Sequence, residues 1–261
     1  MYLIDSHCHI HDEDFPIETD QVLLNARSNS VTKVICIGVD LQDSIRALEF
    51  AKNNSSPDNQ LFASVGIHPH EASTFTQDTI AELKKLAADE LVVAIGEIGL
   101  DYHYNNSLKE VQKHALRQQL RLAQNLNLPV SFHVREAYDD FWQIFDDCVQ
   151  SGGKIRGVMH SFTDSLDNLN KALDSGLFIG VNGISTFVKK PDEVKMFSSI
   201  PLNRILLETD APFLSPTGKR GKPNHPANVK LIAGDLAAKR GLPLLDVARI
   251  TSRNPQKLFN I

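Results

Sequence analysis

Short β-branched or apolar runs alternate along this chain with longer segments of helical period, and that alternation restricts the fold more than any other feature. The runs predicted as strands are Tyr2 to Asp5, Lys33 to Gly38, Leu61 to Gly66, Val92 to Gly96, Pro129 to Phe132, Gly157 to Met159, Leu177 to Val181 and Arg204 to Leu207. Between them, segments such as Ser44 to Asn53, Thr79 to Ala88, Leu108 to Asn125 and Tyr138 to Val149 carry apolar residues three and four apart; Leu116, Leu120 and Ala123 share one such face. Stop signals follow at Asn127-Leu128-Pro129 and Ser151-Gly152-Gly153. Two more helical stretches, Ala227 to Arg240 and Leu244 to Ser252, end the chain. Eight strand-then-helix units predict a (β/α)8 TIM barrel spanning residues 1–261 as one domain, with function at the C-terminal ends of the strands.

Bulk properties narrow the classes. A formal charge of −5 argues against a protein that coats nucleic acid, while allowing a local basic rim around an acidic site. Cys8, Cys36 and Cys148 are scattered, without a CxxC, so they are expected as small buried hydrophobes and not as a disulfide frame or thiolate zinc site. No apolar run is long enough to cross a bilayer, and Met1-Tyr2-Leu3-Ile4-Asp5 lacks the basic start and apolar stretch of a signal peptide. A cytoplasmic location is therefore expected, with no membrane partner and no protein partner indicated.

If the barrel is right, polar residues should gather where strands hand over to loops, and they do. The first strand ends in Asp5-Ser6-His7-Cys8-His9, the third in His68-Pro69-His70 and the fourth in Gly96-Glu97-Ile98-Gly99-Leu100-Asp101. The fifth ends in His133-Val134-Arg135, the sixth in His160-Ser161-Phe162 and the eighth in Glu208-Thr209-Asp210. Residues two apart in extended chain point the same way, so His7 and His9 project together and Cys8 faces away. An HxH pair alone is weak, but with Glu97, His133, His160 and Asp210 at other strand ends, six nitrogen and oxygen donors converge. That set suits two divalent ions sharing a carboxylate better than one structural zinc.

The strings DSHCH, VGIHPH, GEIGLDY, FHVREA, MHSF and LLETDAPFL, in this order, resemble the TatD family of metal-dependent deoxyribonucleases in the amidohydrolase superfamily. The likeness runs over nearly the whole chain, to Asn254-Pro255 and Leu258-Phe259. It implies that His7, His9, Glu97 and Asp210 hold one metal, that Glu97, His133 and His160 hold the second, and that Glu97 bridges them. Many amidohydrolases use a carbamylated lysine for that bridge; Glu97 supplies a carboxylate instead. Zn, Mn, Mg or Ni would all suit such donors. The chain departs from the family where a stretch like RNEP is common, reading Gly221-Lys222-Pro223-Asn224-His225-Pro226. That puts substrate specificity, not the metal site, in question.

The same resemblance gives Asp210 a second role as proton acceptor from the attacking water, and gives His68 a hydrogen bond to substrate phosphate. Taken alone, Asp210 would equally suit a helix N-cap. Glu208 and Asp101 are expected to orient histidines from behind. Arg135, two residues past His133, suits a phosphate, or an ion pair with Glu136 or Asp139. Lys219, Arg220 and Lys222 read either as a solvated loop or as a clamp on a nucleic-acid backbone. His11 and His70 are expected in solvated loops, Trp142 in the core, and Phe162 and Phe187 as possible stacking surfaces for a base. The expected function is hydrolysis of phosphodiesters at DNA ends. The rivals are hydrolysis of another ester, lactone or aminoacyl bond, and a non-enzymatic metal-binding role.

Overall fold

The computed structural model describes residues 1–261. Eight parallel strands follow one another in ring order: β1 (Leu3–Cys8), β2 (Val31–Ile37), β3 (Gln60–Val65), β4 (Val92–Asp101), β5 (Val130–Arg135), β6 (Gly157–Met159), β7 (Phe178–Val181) and β8 (Ile205–Leu207). Helices separate them: α1 (Thr19–Ser28), α2 (Leu41–Asn54), α3 (Gln77–Leu86), α4 (Lys109–Leu126), α5 (Tyr138–Gly152), α6 (Leu166–Asp174) and α7 (Pro191–Ser199). After β8 come α8 (Val229–Arg240) and α9 (Leu244–Phe259). This is the (β/α)8 barrel expected from the alternation.

Local chemistry accounts for the helix ends. The Asp40 carboxylate accepts the Asp43 N–H to cap α2. Thr76 and Thr79 satisfy each other's backbone N–H at the start of α3. α4 stops at Asn127, whose φ of 51° is left-handed, just before Leu128-Pro129. Helix α9 runs beyond the predicted Ser252 to Phe259, carrying Pro255 within it; Asn254 anchors it to β8 by donating to the carbonyls of Leu202 and Ile205.

Burial alternates along the strands. On β2, Val34 and Cys36 pack in the layer shared with Ala47 of α2 and Leu83 of α3. Ile35 and Ile37 instead join Val93, Val158, Phe178 and Leu206, with Leu258 and Phe259 of α9. β2 and β6 lie on opposite sides of the ring, so only the barrel interior can bring their side chains together. The C-terminal Leu258 and Phe259 therefore plug it. Trp142, 5% exposed, sits in the core as expected, donating to Asn168 Oδ1, and all three cysteines are buried.

Three strands outrun their predicted ends. β1 continues to Cys8, β4 to Asp101 and β5 to Arg135, so much of the polar strand-end sequence is still extended chain. β4 and β5 stay paired as far as Gly99 with His133 and Asp101 with Arg135. Gly99 is required there, because a Cβ would lie 1.7 Å from the His133 carbonyl oxygen.

The ring closes between β8 and β1 by an irregular seam. The Asp210 N–H donates to His7 O (2.8 Å) and the His9 N–H to Ala211 O (2.8 Å). Beneath them Thr209 donates its N–H to Asp5 Oδ1 (2.9 Å) and its hydroxyl to Asp5 Oδ2, and Ser6 Oγ donates to Leu207 O (3.0 Å). Asp5 and Thr209 are both fully buried. Thr209→Val keeps the shape but leaves an Asp5 oxygen without its hydroxyl partner, which costs about 1–3 kcal/mol. Thermal unfolding should show Tm lowered by about 2–10 °C for a chain of this size. An unchanged Tm would mean that the seam holds without this tie.

Candidate active site

The mouth above the C-terminal strand ends is a cavity of about 780 Å³, and His9, Glu97, His133, His160 and Asp210 line it. His7 is buried beside Glu97 and Asp210, 1% exposed. Glu97 stands at the centre. Its Oε2 lies 3.2 Å from His7 Nε2, and its Oε1 lies 2.9 Å from His133 Nδ1, 3.7 Å from His68 Nε2 and 3.9 Å from His160 Nε2. Asp210 Oδ1 lies 3.4 Å from His9 Nε2 and 3.6 Å from both His7 Nε2 and His160 Nε2.

Donor atoms cluster within 4.8 Å of one another in three groups: His7, His160 and Asp210; His7, His9 and Glu97; and His68, Glu97 and His133. The structure thus brings together all six residues expected as ligands. It places His160 between the expected halves, stacked on the His7 ring at 3.4 Å, and it sets His68 beside Glu97 and His133.

Groups behind the histidines fix which ring nitrogen faces the centre. His9 Nδ1 donates to the Ile37 carbonyl (2.9 Å), His133 Nε2 to Asp101 Oδ2 (2.8 Å), and His7 Nδ1 meets Ser131 Oγ (3.4 Å). His160 Nδ1 lies 3.0 Å from Glu208 Oε1, a charge contact off hydrogen-bond alignment; that oxygen also accepts the Ser161 N–H. Asp101 and Glu208 thus lie behind His133 and His160, on the side away from Glu97. His68 is wired the other way: its Nδ1 accepts the His70 N–H (3.1 Å), which leaves the proton on Nε2.

Electrostatics show what the centre lacks. Burial would push the Glu97 carboxyl up, but His160, His7 and His133 outweigh it and hold it well below the usual range. Burial likewise opposes Asp210, and His160 and His9 bring it down. Burial pulls His160 down, yet the carboxylates of Glu208, Glu97 and Asp210 lift it to about 10. His133 rises against its burial to about 9 through Asp101 and Glu97. His68 moves the other way, well below 6.5, through burial and the neighbouring His133. Ionised, buried carboxylates thus draw positive charge into the mouth, and His7 Nε2 is buried with no aligned hydrogen-bond partner. Divalent cations fit that donor set and that demand.

Arg135 is exposed on the cavity wall, its guanidinium 4.9 Å over the Tyr104 ring; Glu136 pairs with His103 instead. Lys219, Arg220 and Lys222 are exposed on the loop after β8 and do not line the cavity; Arg220 lies 4.7 Å over Phe187. Phe162 is 1% exposed, packed on Tyr138, and so offers no stacking surface. Phe187 is half-buried under Arg220. His11 is buried against Asp43 (3.2 Å) and not solvated, because the carboxylate compensates its desolvation and lifts it to about 9. His70, half-buried, lies 3.1 Å from Asp101 Oδ2. In the divergent stretch Asn224 is fully buried and ties the Asp210 turn, donating Nδ2–H to Thr209 O and N–H to Pro212 O. His225 is half-buried with Nδ1 unpartnered, and burial and Lys219 lower its pKa.

A parallel barrel with histidines and carboxylates converging on its C-terminal mouth is the arrangement of a metal-dependent hydrolase. Residues 4–260 match the family model described as TatD related DNase, and the chain belongs to that family. It is 35% identical over 261 residues to the uncharacterized metal-dependent hydrolase YabD of Bacillus subtilis, covering 99% of each. It is 36% identical over 253 residues to the 3'-5' ssDNA/RNA exonuclease TatD of Erwinia tasmaniensis, covering 95% of each. The crystal structure of the TatD homologue YjjV of Escherichia coli superposes with a TM-score of 0.89 at 30% identity, over 99% of this chain and 98% of that one.

Charging of His133 and His160 gives a measurable consequence. Both lie above pH 8 in the metal-free protein, so loading it with divalent metal at that pH should release at least two protons per chain, those of the two rings. Titration calorimetry in buffers of differing ionisation enthalpy would read this. A heat independent of the buffer would contradict it.

Proposed function

We propose that this protein is a phosphodiesterase that shortens nucleic-acid strands from an end, with two divalent ions held by His7, His9, Glu97, His133, His160 and Asp210. The observation that carries this reading is the position of Glu97: a buried, ionised carboxylate with histidine nitrogens beside both of its oxygens. Bound there, the ions would supply a water ionised near neutral pH and positive charge for a phosphate oxygen.

The protein's own groups do the rest. Asp210, held ionised, accepts the proton of the attacking water. His68, neutral with its proton on Nε2, donates to a non-bridging phosphate oxygen. Arg135 offers a planar fork from the cavity wall. Asp101 and Glu208 keep His133 and His160 turned inward. Lys219, Arg220 and Lys222 attract phosphates beyond the scissile bond. Similarity to a protein named as an exonuclease of single-stranded DNA and RNA supports the substrate class.

Metal-loaded protein should shorten end-labelled single-stranded DNA stepwise and hold about two ions per chain. Glu97→Ala should lose metal and activity together. Arg135→Ala should keep its metal while KM rises about 10-fold or more, the cost of one charge-assisted hydrogen bond. Hydrolysis of an aminoacyl ester with no cleavage of DNA would replace this reading with the ester-hydrolase one.

Activity on oligonucleotides should also fall steeply with salt. Replacing Lys219, Arg220 and Lys222 together by alanine should flatten the logarithmic slope by about 2, near 0.7 for each phosphate of a single strand that is no longer neutralised. An unchanged slope would leave that loop as a solvated surface.

A further inference from the structure

Two large aromatic side chains stand in solvent at the rim of the mouth: Tyr104, 57% exposed, beyond β4, and Phe213, 60% exposed, beyond β8. In an eight-strand ring β4 and β8 are diametrically opposed, so the rings stand on opposite walls with Glu97 and Asp210 between them. What sets these two exposed rings apart from others on the surface is that both line the cavity that holds the site. Nothing in the sequence distinguishes either ring, since they read there only as parts of GLDYHY and TDAPF.

The backbone of each ring is tied to an acidic residue of the site, Phe213 to the Asp210 carbonyl and Tyr104 to the Asp101 carboxylate. The Phe213 N–H donates to Asp210 O (2.8 Å), and its turn is pinned by the Asn224 N–H on Pro212 O (2.9 Å). The Phe213 ring centroid lies 6.4 Å from that of His9. The Tyr104 N–H donates to Asp101 Oδ1 (3.1 Å), and its ring meets His70 and His103 edge to face at 5.5 and 4.7 Å. Arg135 lies 4.9 Å over one face of that ring and stacks a planar cation on it. Leu214 and Ile184 continue the apolar wall on the Phe213 side.

We infer that Phe213 and the Tyr104–Arg135 pair are two base-stacking platforms, one on each side of the scissile phosphate, which select a single strand with unpaired bases. This rests on the phosphodiesterase reading and adds to it what recognises the nucleosides. A ligand that satisfies the mouth carries an anionic centre flanked on both sides by flat apolar groups. A dinucleotide unit of a single strand has that shape. In a duplex the same bases are turned inward on one another and cannot reach either wall.

The full-length, metal-loaded protein tests this with a single-stranded oligonucleotide and its counterpart made abasic at the two terminal positions. Phe213→Ala and Tyr104→Ala should each raise KM on the intact strand by about 5- to 150-fold, the range for loss of one stacked base. Parent and variants should differ little on the abasic strand, so the two losses are not additive. Phe213→Trp should restore binding and supply a second signal, since the only other tryptophan, Trp142, is buried. Its fluorescence should be quenched by the intact strand and not by the abasic one. Quenching without cleavage would keep the platforms and overturn the phosphodiesterase reading. Cleavage with neither quenching nor a KM difference between intact and abasic strands would overturn the platforms and keep that reading. Absence of cleavage, quenching and binding would overturn both.

Discussion

Closure of the barrel between its first and last strands is the constraint on which the rest depends. The β8 to β1 seam is not a regular ladder: Asp5 holds Thr209, and two backbone bonds cross between His7, His9, Ala211 and Asp210. Those bonds join the residues that carry the site, so closing the ring and setting Asp210 against His7 and His9 are one event. Because the seam joins positions 204 apart, the mouth assembles only when the ends of the β/α series meet. The interior plug of Leu258 and Phe259 comes from still later in the chain, so the barrel floor and mouth both wait on distant sequence.

Closure also concentrates charge. Glu97, Asp101 and Glu208 are buried and Asp210 is half-buried at the mouth, and a barrel interior offers them little water. Uncompensated carboxylates there would cost several kcal/mol each. Histidines are the chain's answer: His133 and His160 take up protons, while His7 and His68 are pushed toward the neutral form by burial and by those charged neighbours. The site therefore holds a mixed population of rings, some cationic and some neutral. A divalent cation substitutes for the protons without disturbing the carboxylates that attract them. This is why an acidic protein can present an electropositive demand at one point.

The eight strands were legible because hydrophobic runs and helical period report burial directly. Their ends were less so. His7, the segment from Glu97 to Asp101 and the segment from His133 to Arg135 look like loop residues by polarity, yet they remain extended because neighbouring strands and the opened space at Gly99 hold them. That His7, His9, Glu97, His133, His160 and Asp210 would converge could be read, since polar residues at the ends of predicted strands are conspicuous. What pairs with them could not. His11 looks solvated until Asp43, 32 residues away, is brought beside it. Phe162 and Tyr104 both follow strand ends as aromatic residues, and only packing buries the first and exposes the second. Exposure of a ring and pairing of distant charges are tertiary properties with no local signature.

The histidines show the same division at the scale of one proton. As letters, His9 and His68 are alike: each is a histidine just past a strand. Their partners make them opposites. The Ile37 carbonyl can only accept, so His9 keeps a proton on Nδ1 and faces Asp210 with Nε2, the nitrogen whose lone pair a cation held there would take. The His70 N–H can only donate, so His68 offers its lone pair backwards and turns an N–H toward Glu97. A ring that presents a lone pair suits a cation, whereas one that presents N–H suits an oxygen of the substrate. His68 sits close enough to Glu97 and His133 to be counted with them by distance alone, and it is the direction of one backbone hydrogen bond that separates its chemistry from theirs.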